Sequence, residues 1–114
     1  GLVSPDQRIY STVEGTNPPF YGAAKSALIQ WTKYAACEFA KENIRINSIS
    51  PGPFPSTTSQ EKFPAMVEEI VKKVPMGRVG NQEELVGPVV FLASEASSFV
   101  TGTNLIVDGG WTCW

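Results

Sequence analysis

The sequence predicts an α/β protein with parallel strands, and three observations carry that prediction. Helical periodicity runs from Tyr21 to about Glu42, and a short apolar run, Ile44 to Ile49, follows it and ends in Ser50-Pro51-Gly52-Pro53. Two further helical segments separate this run from a second one, TNLIVDGG, which closes at Asp108-Gly109-Gly110. Helices standing between two strands make a crossover connection, which joins parallel strands, whereas a tight turn joins antiparallel ones.

Residues 1–20 contain Pro5, Pro18, Pro19, Gly15, Asn17 and several hydroxyl side chains. That is loop chemistry, and the segment is expected to lie outside the core. The chain thus divides into a loop, 1–20, and a folded segment, 21–114. In the first helix Ala24, Leu28, Trp31, Ala35 and Phe39 recur at steps of three and four, with Ala23, Ala27 and Ala36 crowding the same turns. The IRINSI run alternates imperfectly and predicts a strand over Ile44–Ser50, ended by a turn with three prolines in five residues. Thr57 to Val74 reads as a second helix, with Phe63, Met66, Val67, Ile70 and Val74 on one side and Glu68, Glu69, Lys72 and Lys73 on the other. Asn81 followed by Glu84 has the spacing of a capping box and opens a third helix through Leu92. Within it Pro88 lacks the N–H that would bond the Glu84 carbonyl, so a kink or local unwinding is expected. The second strand is predicted over Asn104–Val107.

At 114 residues, 42% hydrophobic and 18% charged, the chain has the make-up of one globular domain. The net charge is −2 and no run of Lys or Arg occurs, so no nucleic-acid partner is expected. Cys37 and Cys113 fit no metal spacing and the chain has no histidine, so no metal site is expected and free thiols are the simpler account. No apolar run reaches the ~20 residues that span a bilayer, and the first residues lack the basic-then-apolar order of a signal peptide. No membrane association is expected, and a cytoplasmic location is the default.

Tyr21 and Lys25 stand four residues apart in FYGAAKSALIQW, which places phenol and ammonium on one helix face. A cation beside a phenol favours the phenolate and lowers its pKa from about 10. Tyr21 then becomes a usable proton donor or acceptor near neutral pH. The spacing by itself is a weak signal.

The order of motifs is more specific. YGAAK, then NIRINSISPG, then GRVGNQEELVGPVVFLAS, then VTGTNLIVDGG make the segment from Tyr21 to Gly110 resemble the C-terminal part of a short-chain dehydrogenase/reductase. The resemblance implies a Rossmann-like, doubly wound parallel sheet, of which the two strands here would be the last of seven. It implies hydride transfer between NAD or NADP and an alcohol or carbonyl substrate, with Tyr21 as general acid/base. By the same resemblance Lys25 would tune Tyr21 and bind the nicotinamide ribose. Pro51 and Gly52 would form the turn over the nicotinamide, the Phe54 backbone would meet the carboxamide, and Ser56 would stand where the family has a cofactor-binding threonine.

The sequence also departs from that pattern. None of its glycines makes Gly-x-x-x-Gly-x-Gly or Gly-x-Gly-x-x-Gly, the turn that receives a dinucleotide pyrophosphate. The N-terminal cofactor half is therefore expected to be missing, with no tight cofactor binding or activity by these 114 residues alone. The family's catalytic serine falls about a dozen residues before the tyrosine, where Arg8 and Ile9 stand; Ser4 and Ser11 miss that spacing. Gly1 would lie just after the strand that carries it. The long loop before Tyr21 resembles loops of family members linked to sugar or polysaccharide metabolism. Trp31, Phe39, Phe63 and Phe91 read as core or interface packing, Asp108 as a turn former, and Asn47 as a tie to a neighbouring loop. The helix from Tyr21 presents apolar residues on more than one face, more than two strands can cover, which predicts a homo-oligomer or a covering N-terminal half. The competing function is a non-catalytic, self-associating interaction module.

Overall fold

The computed structural model describes residues 1–10 and 17–114. Helix α1, Pro19–Phe39, starts two residues before the expected Tyr21, because Pro19 occupies its first turn, where a missing N–H leaves no bond unmade. A 3₁₀ turn, Ala40–Glu42, continues it and stops at Asn43, whose left-handed backbone (φ 58°) caps the end through an N–H to Ala40 O bond.

Strand β1 is Ser48–Pro51, four residues shorter at its start than the sequence predicts. The reason lies in side-chain competition. Ile46 N–H goes to Thr101 Oγ1 (3.1 Å), and its carbonyl accepts from Gly102 N (2.8 Å). Arg45 donates to the Ser94 and Val100 carbonyls. Asn47 donates to Val100 O (2.9 Å) and accepts from Thr103 N (3.1 Å), the loop tie its sequence position suggested. Ladder pairing begins only beyond these bonds. β1 then runs parallel to β2, Asn104–Val107, in the register Ser48↔Asn104 to Pro51↔Val107.

The described residues form four α-helices where three were expected, because the Thr57–Val74 segment divides. Pro64 disfavours helical backbone at the residue before it, and Phe63 leaves the helix at φ −131°, ψ 56°. Helix α2, Thr57–Lys62, therefore ends there and α3, Pro64–Lys73, restarts with Pro64 in its first turn. The Asn81–Glu84 capping box forms with both of its bonds. The unwinding expected around Pro88 takes the form of a 3₁₀ segment, Gln82–Leu85, so that α4, Val86–Ala93, has Pro88 in its first turn.

Ile9, Ile70 and Val74 form the buried cluster, with Tyr10, Met66, Val79 and Trp111 packed against it. This corrects the expectation for residues 1–20: a 3₁₀ turn over Gln7–Tyr10 drives Ile9 into the core against α3. Asp6 holds that turn in place by accepting bonds from Arg8 and from Lys73 of α3. These two cations, Arg8 first, keep the Asp6 carboxyl well below the usual carboxylate range. A second buried patch, Ala35 and Ala36 of α1, lies on the inner face of that helix.

Beyond these residues little is covered. The accessible surface is 7842 Å², against ~6,100 Å² for a compact chain of this mass. The radius of gyration is 16.1 Å, against about 13 Å for a compact 100-residue domain. Trp31 and Phe39 of α1 and Phe91 of α4, expected to be packed, are exposed, and Phe63 is half-buried. Trp31 is 58% exposed, and Phe99, beyond α4, is 103% exposed. Cys37 and Cys113 are exposed free thiols. Among the described residues, no helix is long and apolar enough to cross a membrane.

Candidate active site

The C-terminal ends of β1 and β2 and the first turns of α1 face one open cleft of 1400 Å³. Tyr21, Lys25, Pro51, Gly52 and Phe54 all line it. Tyr21 lies in the first turn of α1, its N–H bonded to Pro18 O (2.9 Å), and its side chain is 47% exposed. One turn on, the Lys25 ammonium sits 5.5 Å from the centre of the Tyr21 ring, within reach of a cation–π contact.

The turn after β1 is held by its neighbours. Gly52 N–H bonds to Val107 O (2.9 Å), extending the ladder by one step. A Cβ on Gly52 would come within 2.6 Å of both Cα and Cβ of Asp108, so only glycine lets the two strand ends meet this closely. Asp108 in turn accepts from Gly110 N (2.8 Å), Thr112 N (2.9 Å) and Thr112 Oγ1 (2.7 Å), which is the turn-forming role expected of it. Burial pushes the Asp108 carboxyl up, but these hydrogen bonds from Thr112 and Gly110 outweigh it and leave the group below its ordinary value.

In Pro51-Gly52-Pro53-Phe54-Pro55 the prolines have no N–H. With Gly52 engaged, Phe54 carries the turn's remaining backbone donor, and among the described residues nothing accepts from it. A free N–H beside a phenol and an ammonium suits an amide-bearing ring, so the residues present fit the nicotinamide end of a dinucleotide.

Ser56 is placed differently. Its Oγ caps α2, accepting from Ser59 N (3.2 Å) and pairing with Ser59 Oγ (2.9 Å), and it does not line the cleft. Ser4, Tyr10, Asn17 and Trp111 do line it, although the sequence singled out none of them as contacts. Asn17 Nδ2 donates to Tyr10 OH (3.2 Å), which links the two ends of 11–16. Their only sequence signals were a loop-like composition and an aromatic just after Asp-Gly-Gly. Arg8 and Ile9, at the family's serine spacing, are taken up by Asp6 and by the core. Ser11 lies outside the described residues.

These elements make a parallel two-stranded α/β unit with a Tyr–Lys helix and a Pro-Gly turn at its strand ends, and comparison with known proteins shows its family. A family model described as Enoyl-(Acyl carrier protein) reductase matches residues 8–112. The 2-dehydro-3-deoxy-D-gluconate 5-dehydrogenase of Dickeya dadantii is 43% identical over 100 residues, covering 85% of this chain and 39% of that protein. The ribulose-forming D-arabinitol 2-dehydrogenase of Candida albicans is 42% identical over 98 residues, 82% of this chain and 35% of that protein. A short-chain dehydrogenase from Leptospira borgpetersenii, solved with bound NAD+, superposes with a TM-score of 0.81 at 41% identity, covering 95% of this chain and 39% of that one. The chain belongs to the short-chain dehydrogenase/reductase family. It spans between a third and two fifths of the length of these relatives.

Proposed function

We propose that the protein carrying this sequence is an NAD(P)-dependent oxidoreductase that interconverts an alcohol and a carbonyl. The observation that carries the reading is the meeting of Tyr21, Lys25 and the Pro51–Phe54 turn in one cleft. A bound nicotinamide supplies or accepts the hydride. The Tyr21 hydroxyl would pass the accompanying proton to or from the substrate oxygen, and the Lys25 ammonium one turn on would hydrogen-bond the ribose hydroxyls. The Phe54 N–H holds the carboxamide, and Pro51 and Gly52 fix the turn. The role of Ser56 is to cap α2 and so anchor the end of that turn. The pyrophosphate-binding turn would come from a segment beyond these 114 residues, which by themselves would bind cofactor weakly.

The substrate class we favour is a small polyol, sugar or sugar acid, as in the names of the relatives above. Polar side chains on the cleft, Ser4, Tyr10 and Asn17, support it. The exposed apolar side chains of α1 and α4 favour association, so the protein is also proposed to be a homo-oligomer. The test is titration of the full-length protein with NADH and NADPH by fluorescence, followed by turnover with a panel of polyols and sugar acids. Saturable binding with turnover on at least one hydroxylated substrate is expected. Absence of nucleotide binding would overturn the enzymatic reading and leave the self-associating module.

A further inference from the structure

On the far side of the cleft wall a small cavity of 90 Å³ is lined by Pro53, Phe54, Arg78, Gly80, Glu84 and Asp108. Phe54 borders both this cavity and the cleft, as Pro53 and Asp108 do. What presses on the ring is the backbone of Gly80. A Cβ built on Gly80 would fall 2.4 Å from Cε1, 2.5 Å from Cζ and 2.7 Å from Cδ1 of Phe54. The two segments cannot simply move apart, because Gly80 N–H is bonded to Pro53 O (2.9 Å).

Gly80 is itself braced. Arg78 makes a two-pronged bond to Glu84, Nη1 to Oε2 (2.8 Å) and Nη2 to Oε1 (2.6 Å), and also donates to Val79 O (3.1 Å). Glu84 accepts from Asn81 N (2.8 Å), on the other side of Gly80. A bidentate guanidinium–carboxylate pair fixes direction as well as distance. The loop 78–84 is therefore a rigid stop against which one aromatic ring rests.

We infer that Gly80 is a positioning residue for cofactor recognition: by having no side chain it rests against the Phe54 ring while its N–H holds the Pro53 carbonyl, and this bond fixes the trans peptide whose free Phe54 N–H points away from the Arg78–Glu84 loop. The inference rests on the dehydrogenase reading and extends it to a residue that touches neither cofactor nor substrate. A side chain at position 80 would meet the ring and could be relieved only by turning the ring or by giving up the Gly80–Pro53 bond. Loss of that bond frees the Pro53–Phe54 peptide to tilt, and among the described residues the turn between Pro53 and Pro55 has no other free donor to substitute.

The experiment compares two probes on the full-length protein by calorimetry. NAD+ or NADP+ contains the nicotinamide; ADP-ribose or its ribose-phosphorylated form does not. Gly80→Ala is expected to weaken binding of the complete cofactor about tenfold and to leave the ADP-ribose probe within about twofold of wild type. Phe54→Ala removes all three ring atoms that a Cβ at position 80 would meet. The double variant Gly80→Ala/Phe54→Ala should therefore bind the complete cofactor no more weakly than Phe54→Ala alone, within about twofold. Additive losses in the double variant, or an equal loss of the ADP-ribose probe in Gly80→Ala, would overturn the inference, since either means that position 80 acts through general packing. Wild-type protein that binds neither probe would overturn the dehydrogenase reading, and the inference with it; wild-type protein that binds both, with Gly80→Ala unchanged toward each, would overturn the inference alone.

Discussion

The strand-end turns and the apolar stripe of α1 are built on opposite terms. At the strand ends, Gly52 donates to Val107 O and Asp108 accepts from Gly110 and Thr112, through bonds of 2.7–2.9 Å, and a single methyl group would not fit at Gly52. On α1, Ala35 is 1% exposed while Trp31, one turn earlier on the same stripe, is 58% exposed. The chain thus closes its strand-end corner with its own residues but leaves the helix that carries Tyr21 only half covered. Geometry at the site is set locally; the stability of the platform beneath it requires another surface.

The contrast breaks first at Tyr21. Tyr21→Phe removes one oxygen from an exposed side chain, so folding and cofactor affinity should be unchanged while turnover falls at least ~100-fold, the usual scale for a positioned acid/base. Steady-state rates and calorimetry on the full-length protein check this. Wild-type turnover would remove Tyr21 from the chemistry.

Next in size is the apolar face. Each large side chain buried at a contact contributes roughly 1.5–3 kcal/mol, so Trp31→Glu should dissociate an assembly that uses α1. Sedimentation at micromolar concentration reads the mass. An unchanged oligomer would place the contact elsewhere, on the face around α4 and Phe99.

The strand-end corner gives a smaller effect. Asp108→Ala leaves Gly110 N, Thr112 N and Thr112 Oγ1 without their acceptor. A loss of about 1–2 kcal/mol is expected in denaturant titration, reduced by partial exposure to water. A midpoint equal to wild type would show that water replaces the carboxylate at no cost.

The smallest effect is in acid. Arg78 first, and then the Asn81 N–H, hold the Glu84 carboxyl down to about 2. A depressed folded-state pKa adds stability that is fully present above the unfolded carboxylate value of about 4.3 and disappears as pH falls through about 2. Glu84→Gln should therefore flatten the acid limb of the melting curve between those values and leave the neutral limb little changed. An acid limb as steep as wild type would show that the Arg78–Glu84 pair does not hold the loop in solution.

How far the sequence foretold this structure depended on range. The Asn81–Glu84 box, the Asp108 turn and the Tyr21–Lys25 pair are contacts over a few residues, and all three were legible from spacing. The strand start was not, because Arg45 and Asn47 spend their bonds on carbonyls and amides some fifty residues away. The burial of Ile9 was hidden in the same way, by Asp6 reaching Lys73. Pro64 was legible and carried more weight than the apolar stripe that runs through it: the rule for the residue before a proline predicts the break at Phe63. Gly80 could not have been read from sequence, since its meaning lies in a ring 26 positions away that only the fold brings against it.

The central claim is that the Pro51–Phe54 turn, beside Tyr21 and Lys25, receives the nicotinamide end of a dinucleotide. Residue-resolved amide hydrogen exchange on the full-length protein, with and without saturating NAD+ or NADP+, tests it most directly. The account predicts strong slowing at the Phe54 N–H, little change at Gly52, whose N–H is already bonded to Val107 O, and none along α4. Exchange at Phe54 that is the same with and without a bound cofactor would contradict it.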